Sequence, residues 1–442
     1  MTRRDVIAGA GGLLAMPALS STVGAADADG DVVVIGAGAA GLAAAADLRA
    51  AGLAVVLIES RDRIGGRVWT TDILGRSFDA GAAFVHFRDR NPWVAIARDL
   101  GVPLQEHRGF GQGRAFDGPT PLDAAALEAR ADGRRRLWRL FEAFDTQGRD
   151  TSLGELADGA GRYARLAAMR YGQQAIGEEP GDISVVDLLN QWEGGDYTVP
   201  GGYGRLVEAS GSGLQVSLAT PATTVRWDGG GVAVETPRGT VRAARAVVTL
   251  PTGVLAAGRV RFVPELPGET LSAIGDLRPG ALTKVALALD GERFGLASPS
   301  DLFETRSGFV FELFPFDRDL VLATIGGAPA RDLVRLGEAG AVAAATDRLA
   351  DMLGGEVRSH VIGGRLADWW SDPHALGSYS IARPGRFAAR AALGRPVGDR
   401  LHFAGEATGG GGSMTAGGAT LAGRAAAAAI IAALRPGAAT AR

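Results

Sequence analysis

Val32-Val33-Val34-Ile35-Gly36-Ala37-Gly38-Ala39-Ala40-Gly41, then an alanine-rich stretch, a second apolar run from Ala54 to Ile58, and Glu59: this is the segment on which the fold turns. Its β-branched opening reads as a buried strand, the glycines as a strand-to-helix turn and the alanines as a helix. A turn with no side chain at Gly36, Gly38 and Gly41, and only the small Ala40 beside them, lets the backbone approach a pyrophosphate closely. The helix N-terminus then directs unpaired N–H groups at the phosphates. Glu59 stands 18 residues after Gly41, where a carboxylate can accept from ribose hydroxyls. One G-x-G-x-x-G among 66 glycines would say little, but strand, turn, helix, strand and acid occur here in the required order. The segment is read as a dinucleotide site.

Ser60-Arg61-Asp62-Arg63-Ile64-Gly65-Gly66-Arg67-Val68 follows, a second glycine turn flanked by arginines, and Arg67 offers a forked donor for phosphate oxygens. The stretch resembles the R-x-G-G-R signature that follows the Rossmann unit in flavin-containing amine oxidases. Val199-Pro200-Gly201-Gly202-Tyr203, Thr224-Val225 and Ala246 to Pro251 resemble that family's middle FAD-binding segment. Leu401 to Arg424, with Gly405-Glu406 and Thr415-Ala416, resembles its C-terminal flavin segment. The resemblance spans most of residues 31 to 434. It implies FAD bound by Gly36, Gly38, Ala40, Gly41, Glu59, Ser60, Arg61, Gly65, Gly66, Arg67, Val225, Gly405, Glu406, Thr415 and Ala416. A plain NAD-binding fold would not need the third glycine-rich segment near the C-terminus.

The implied fold class is α/β (α+β): a Rossmann-type FAD-binding domain built from 31–86, 200–275 and 395–435, with an interleaved substrate-binding domain from 87–199 and 276–394. Helical spacing dominates 121–192, whereas 215–250 alternates in short runs such as Val232-Ala233-Val234. At 442 residues the chain is long enough for two cores, and 46% hydrophobic content fits a globular protein. A net charge of −3 points to no nucleic-acid partner, and Arg134-Arg135-Arg136 reads as the solvated side of an amphipathic helix. The absence of cysteine excludes disulfides and thiolate ligands, and the five histidines lack ligand spacing, so no metal site is expected.

Residues 1–28 stand apart. Thr2-Arg3-Arg4-Asp5-Val6-Ile7 opens an apolar run to Leu19 that is followed by small residues, the pattern of a twin-arginine export signal. The run is too short and glycine-interrupted for stable membrane insertion. A periplasmic or secreted location and the twin-arginine machinery as a partner follow from this reading. The tail 436–442 is expected to be flexible.

Of 46 basic residues, 45 are arginine and one is Lys284. It lies in Ala281-Leu282-Thr283-Lys284-Val285-Ala286-Leu287-Ala288-Leu289, whose period-2 pattern puts Val285, Leu287 and Leu289 on one face and Lys284, Ala286 and Ala288 on the other. In the resembling family a lysine so placed holds a water against flavin N5 and supports reoxidation by oxygen; the plainer reading is a strand-end lysine in solvent. Trp369-Trp370-Ser371-Asp372-Pro373-His374-Ala375-Leu376-Gly377-Ser378-Tyr379 resembles the stretch that supplies one wall of an aromatic cage, and Tyr379 matches that wall. The opposite wall falls at Thr415, as in polyamine oxidases and histone demethylases rather than two-aromatic monoamine oxidases. Some relatives attach FAD through a cysteine at the place held here by Ser378, so the flavin is expected to be noncovalent. His86 is a candidate for substrate binding or proton handling, and Phe84, Glu178, Trp192 and Trp370 for lining the substrate path. Tryptophans in such positions can equally be core residues.

These residues imply oxidative deamination of a primary or secondary amine, monoamine or polyamine, by hydride transfer to flavin. The imine hydrolyses to an aldehyde, and O2 reoxidises the flavin to give H2O2. An L-amino-acid oxidase, a periplasmic amine dehydrogenase serving a cytochrome, a carbon–carbon desaturase and a non-catalytic exported FAD-binding protein are the alternatives. The sequence leaves open whether the protein is a monomer or a homodimer.

Overall fold

Val32, Val33 and Val34 have no exposed surface, because the strand they form lies at the centre of a sheet covered on both sides. The computed structural model describes residues 29–107, 113–147 and 149–435; the export signal expected over 1–28 and the tail over 436–442 lie outside them. Along the chain the elements that position the site are β1 (Gly30–Ile35), α1 (Ala39–Ala50), β2 (Val55–Ile58), α2 (Ala124–Glu142), α3 (Arg162–Arg170), β3 (Gly239–Val248), β4 (Leu282–Leu289), β5 (Ser300–Glu304), β6 (Val310–Leu313), β7 (Leu320–Gly326) and α4 (Ala416–Leu434).

β1 pairs in parallel with β2 on one side and β3 on the other, with Val33 opposite Val56 and Ala246. The far edge of β3 is shared: its first half pairs antiparallel with Val232–Thr236 and its last residues pair in parallel with Leu401–Phe403. Alternation along β1 sends Val32 and Val34 into a core with α1 and α4, and Val33 and Ile35 into a second core with Val225, Leu393 and Phe403. By length and composition α4 could cross a membrane, yet Ala416, Thr420, Gly423, Ala427 and Ile430 are buried in the protein. Gly423 is needed there, because a Cβ would overlap the Ala40 carbonyl of α1.

A second sheet runs Val361–Ala367, β4, β7, β6, β5, Arg114–Asp117 and Thr120–Pro121. Its strands come from both long stretches outside the nucleotide segments, joined by the parallel pairing of β5 with Arg114–Asp117. Val285, Leu287 and Leu289 pack beneath the helix Gly337–Leu353, while Ala286 and Ala288 meet Ile73 and Phe78 of the hairpin Thr70–Ile73/Arg76–Asp79. That hairpin therefore packs on the second sheet although it follows the dinucleotide motif in sequence. Helices α2 and α3 form a cover. Asp123 caps α2 through the Ala126 N–H at 2.7 Å, and Gly133, Leu137 and Phe141 make its buried stripe. Gly133 carries no Cβ where the backbone of Tyr163 crosses, which lets α2 and α3 approach closely.

Candidate active site

One cavity of about 590 Å³ runs from the dinucleotide turn, across the face of the second sheet, to the helical cover. Gly36, Gly38, Ala39, Ala40, Glu59, Ser60, Arg61, Gly65, Gly66 and Arg67 line its first part. Gly36 adopts φ +104°, and a Cβ there would stand 2.5 Å from Thr249 Oγ1. Gly41 does not face the cavity; it is excluded from bearing a side chain because a Cβ would overlap the Gly36 carbonyl. The N-cap of α1 is Gly38, with no side chain to occupy the helix's free N–H groups, so they remain for an anion. Glu59 is buried; its Oε2 accepts from Ala37 N at 2.7 Å and its Oε1 from Arg61 N at 2.8 Å and from Ser60 Oγ. Oε1 is thereby filled, and Oε2 keeps one lone pair free. A side-chain-free cradle, an uncapped helix start and an oriented carboxylate together fit the diphosphate and ribose of FAD.

Arg61 and Arg67, expected at this end, also tie distant segments together. Arg61 makes two 2.8 Å bonds to the Asp372 carboxylate. Burial opposes ionisation of Asp372, but Arg61 holds its carboxyl below the ordinary range. Arg67 donates to Ser378 O at 2.6 Å and to Glu406 Oε1 at 3.2 Å, and Glu406 also accepts from Ser380 Oγ at 2.7 Å. Gly405, Glu406, Thr415 and Ala416 line the same cavity. Ser378 lines it as well, and its Oγ is buried without a hydrogen-bond partner.

On the opposite wall Lys284 projects from β4 with its Nζ 2.8 Å from the carbonyls of both Asp79 and Gly81. An ammonium has three donors, so one is left for the cavity. Burial lowers its pKa from the usual value, with the Asp79 and Glu312 charges opposing. The Asp79 carboxylate faces away, accepting from Thr70 Oγ1 at 2.5 Å and Tyr203 N at 2.9 Å. It thus holds the start of the helix Tyr203–Gly211, and burial raises its pKa despite those bonds. The segment Val199 to Tyr203 accordingly packs under the hairpin rather than lining the cavity. Two strands from Lys284, Glu312 shares the cavity wall with Val310, while Phe311 and Leu313 point into the core. Burial first, then the Asp301 charge, pushes Glu312 up to about 7.

Tyr379 faces the cavity, its hydroxyl donating to Ala175 O at 2.5 Å, and burial raises its pKa. Thr415 follows the left-handed Met414 (φ 66°) and caps α4, accepting from Gly418 N at 3.0 Å and donating to Gly412 O at 2.7 Å. His86 also lines the cavity, with Nδ1 3.1 Å from Asp196 Oδ2. Burial opposes it, yet the contact with His86 leaves the Asp196 carboxyl lowered. Phe84 lines the wall beside it.

Four expectations need correction. Val225 is fully buried in the nucleotide sheet and its side chain does not reach the cavity. Glu178 is committed to Arg331 through bonds of 2.9 and 3.0 Å, and Trp370 packs on that same guanidinium at 5.3 Å; neither lines the cavity. Trp192 lies over the side-chain-free Gly411 and Gly412, outside it. Arg134 is exposed, as the arginine run implied, and together with Trp138 it also borders the cavity. Sequence reading missed Asp79, Glu312 and Arg170. Only Glu312 left a trace: a carboxylate on the β6 face opposite Phe311 and Leu313.

The family model for flavin-containing amine oxidoreductases matches residues 39–431. Polyamine oxidase 4 of Oryza sativa subsp. japonica is 29% identical over 416 residues, covering 85% of this chain and 83% of its own length. Lysine-specific histone demethylase 1 homolog 2 of the same plant is 30% identical over 412 residues, covering 85% of this chain; the chain spans about half of that relative, 54%. Among solved structures, cyclohexylamine oxidase from Brevibacterium oxydans IH-35A shares the fold with a TM-score of 0.77 at 22% identity, over 92% of this chain and 99% of that one. A double mutant of putrescine oxidase gives 0.76 at 22% identity, over 91% and 99%.

Proposed function

The chain belongs to the flavin-containing amine oxidoreductase family, and from that premise we propose that it is an oxidase of primary or secondary amines. In this reading the amine reacts in the cavity bounded by Lys284 and Tyr379, and O2 is the final acceptor, giving H2O2. The protein is an FAD-dependent oxidoreductase acting on amines, with two-domain α/β architecture. Its flavin is noncovalent, since the chain has no cysteine to form a thioether. Bound FAD supplies a two-electron acceptor for hydride from carbon.

The chain's own groups hold, orient and desolvate. Tyr379, fixed by its bond to Ala175 O, gives the amine an electron-rich wall, and Thr415, tied into the cap of α4, leaves the facing side open. The ammonium of Lys284 opposes a protonated substrate and so favours the neutral amine. Its remaining donor can hold a water at the cavity wall. One observation carries the reading: the single lysine of the chain is buried in the same cavity as the dinucleotide turn and Tyr379. A structure of the same fold was solved with putrescine bound, so a small diamine belongs among the probes. Export by the twin-arginine route, on the strength of Arg3-Arg4, is part of the proposal and is checked by fractionating cells that carry Arg3→Lys with Arg4→Lys.

Stopped-flow measurement of Lys284→Met tests the assignment. Anaerobic reduction by amine should persist, while reoxidation by O2 slows by at least about tenfold. An unchanged oxygen rate would remove the proposed role.

A further inference from the structure

Helices α2 and α3 bring three arginines to one wall of the cavity: Arg130 and Arg134 from α2 and Arg170 from the last turn of α3. Among the described residues none of the three forms an ion pair with a carboxylate. The side chain of Arg170 makes one hydrogen bond, Nε to Gln174 Oε1 at 3.4 Å, and its guanidinium carbon lies 5.0 Å from the centroid of Phe303. By contrast Arg61 and Arg67, which line the other end, are paired with Asp372 and Glu406. Burial, and then the charges of Arg130 and Arg134, push Arg170 down to about 10, so it stays charged at neutral pH. A partly buried guanidinium with most donors unused is costly to keep and is well shaped for a carboxylate.

Position supports the same conclusion. The helix continues past Arg170 as a wider π-turn over Tyr171–Ile176, and there Ala175 O receives the Tyr379 hydroxyl. Arg170 therefore stands five residues, about one helical turn, before the carbonyl that anchors the tyrosine wall. With its guanidinium held beside Gln174 and Phe303 rather than Tyr379, Arg170 addresses a different part of the substrate from the amine.

We propose that the substrate is an amine bearing a carboxylate several bonds from the reacting carbon, bound through Arg170 with Arg130 and Arg134 nearer the mouth. This rests on the amine-oxidation reading of the same cavity and narrows it. Diamines and polyamines meet three like charges and are disfavoured.

The test compares 6-aminohexanoate, hexylamine and 1,6-diaminohexane with the FAD-loaded protein. The acid should exceed hexylamine in kcat/KM by about tenfold or more, the scale of a charge-assisted hydrogen bond, and the diamine should be poorest. Arg170→Met should erase that preference through KM, and hexanoate should perturb the flavin absorbance of the native protein but not of the variant. Preference for the diamine, or an advantage of the acid that survives both Arg170→Met and Arg130→Met, overturns the proposal. The native ranking decides alone if Arg170→Met does not fold. Flavin bleaching by hexylamine without preference for the acid sinks this inference only; no bleaching by any amine sinks the reading beneath it as well.

Discussion

Glu312→Gln isolates the electrostatic character of the cavity. The carboxylate sits on β6 between Phe311 and Leu313, which are fully buried, and its own side chain faces the interior cavity rather than bulk water. Burial and the Asp301 charge raise its pKa from 4.5 to about 7, against the pull of Lys284. Because the folded-state value lies above the unfolded one, the unfolded chain releases this proton from about pH 4.5 while the folded protein retains it to about 7. Stability from this group is therefore full below about 4.5 and lost as pH rises to about 7. At about 1.4 kcal/mol per pH unit the loss is at most about 3.5 kcal/mol, and water in the cavity relieves part of it. Glutamine keeps the shape and cannot ionise. Urea unfolding with saturating FAD at pH 5, 6, 7 and 8 should show the variant close to the native protein at pH 5 and progressively more stable by pH 8. A stability difference that stays constant with pH would refute the reasoning.

Arg390→Met should destabilise the protein by about 3–5 kcal/mol, read as a lower unfolding midpoint, because it strands Asp187. The pair is buried, with bonds of 2.6 and 2.8 Å, and Arg390 also reaches Ser380 Oγ at 2.8 Å, tying the cover helix Val185–Leu189 to the strand after Tyr379. Adding Asp187→Leu should recover much of the loss. Gly41→Ala forces a methyl into the Gly36 carbonyl, so FAD titration of the apoprotein should show affinity reduced by about tenfold or more. Gly159→Ala, where the added carbon meets open space at φ −76°, should leave FAD affinity unchanged.

What the sequence disclosed follows from how local each feature is. The turn from Val32 to Gly41 is legible because strand, turn and helix are set within a few residues, and Lys284 because alternation alone separates it from Val285 and Leu287. Asp79, Glu312 and Arg170 owe their places to pairings across distant segments. Asp79 acts through its backbone on Lys284 and through its carboxylate on Tyr203, and neither partner is near in sequence. The misplaced residues fail for the same reason. Glu178 is a candidate for the substrate path by sequence, but Arg331, 153 positions away, claims it. Arg134 is exposed like its neighbours in the arginine run, and only the crossing of α2 over α3 brings it to the cavity as well.

Anaerobic titration of the purified, FAD-loaded protein with an amine, followed by admission of air, tests the central claim most directly. The flavin band near about 450 nm, a property of the cofactor, should bleach in proportion to added amine and return with oxygen as H2O2 appears. A band that no amine bleaches, or protein that binds no FAD after reconstitution, would contradict it.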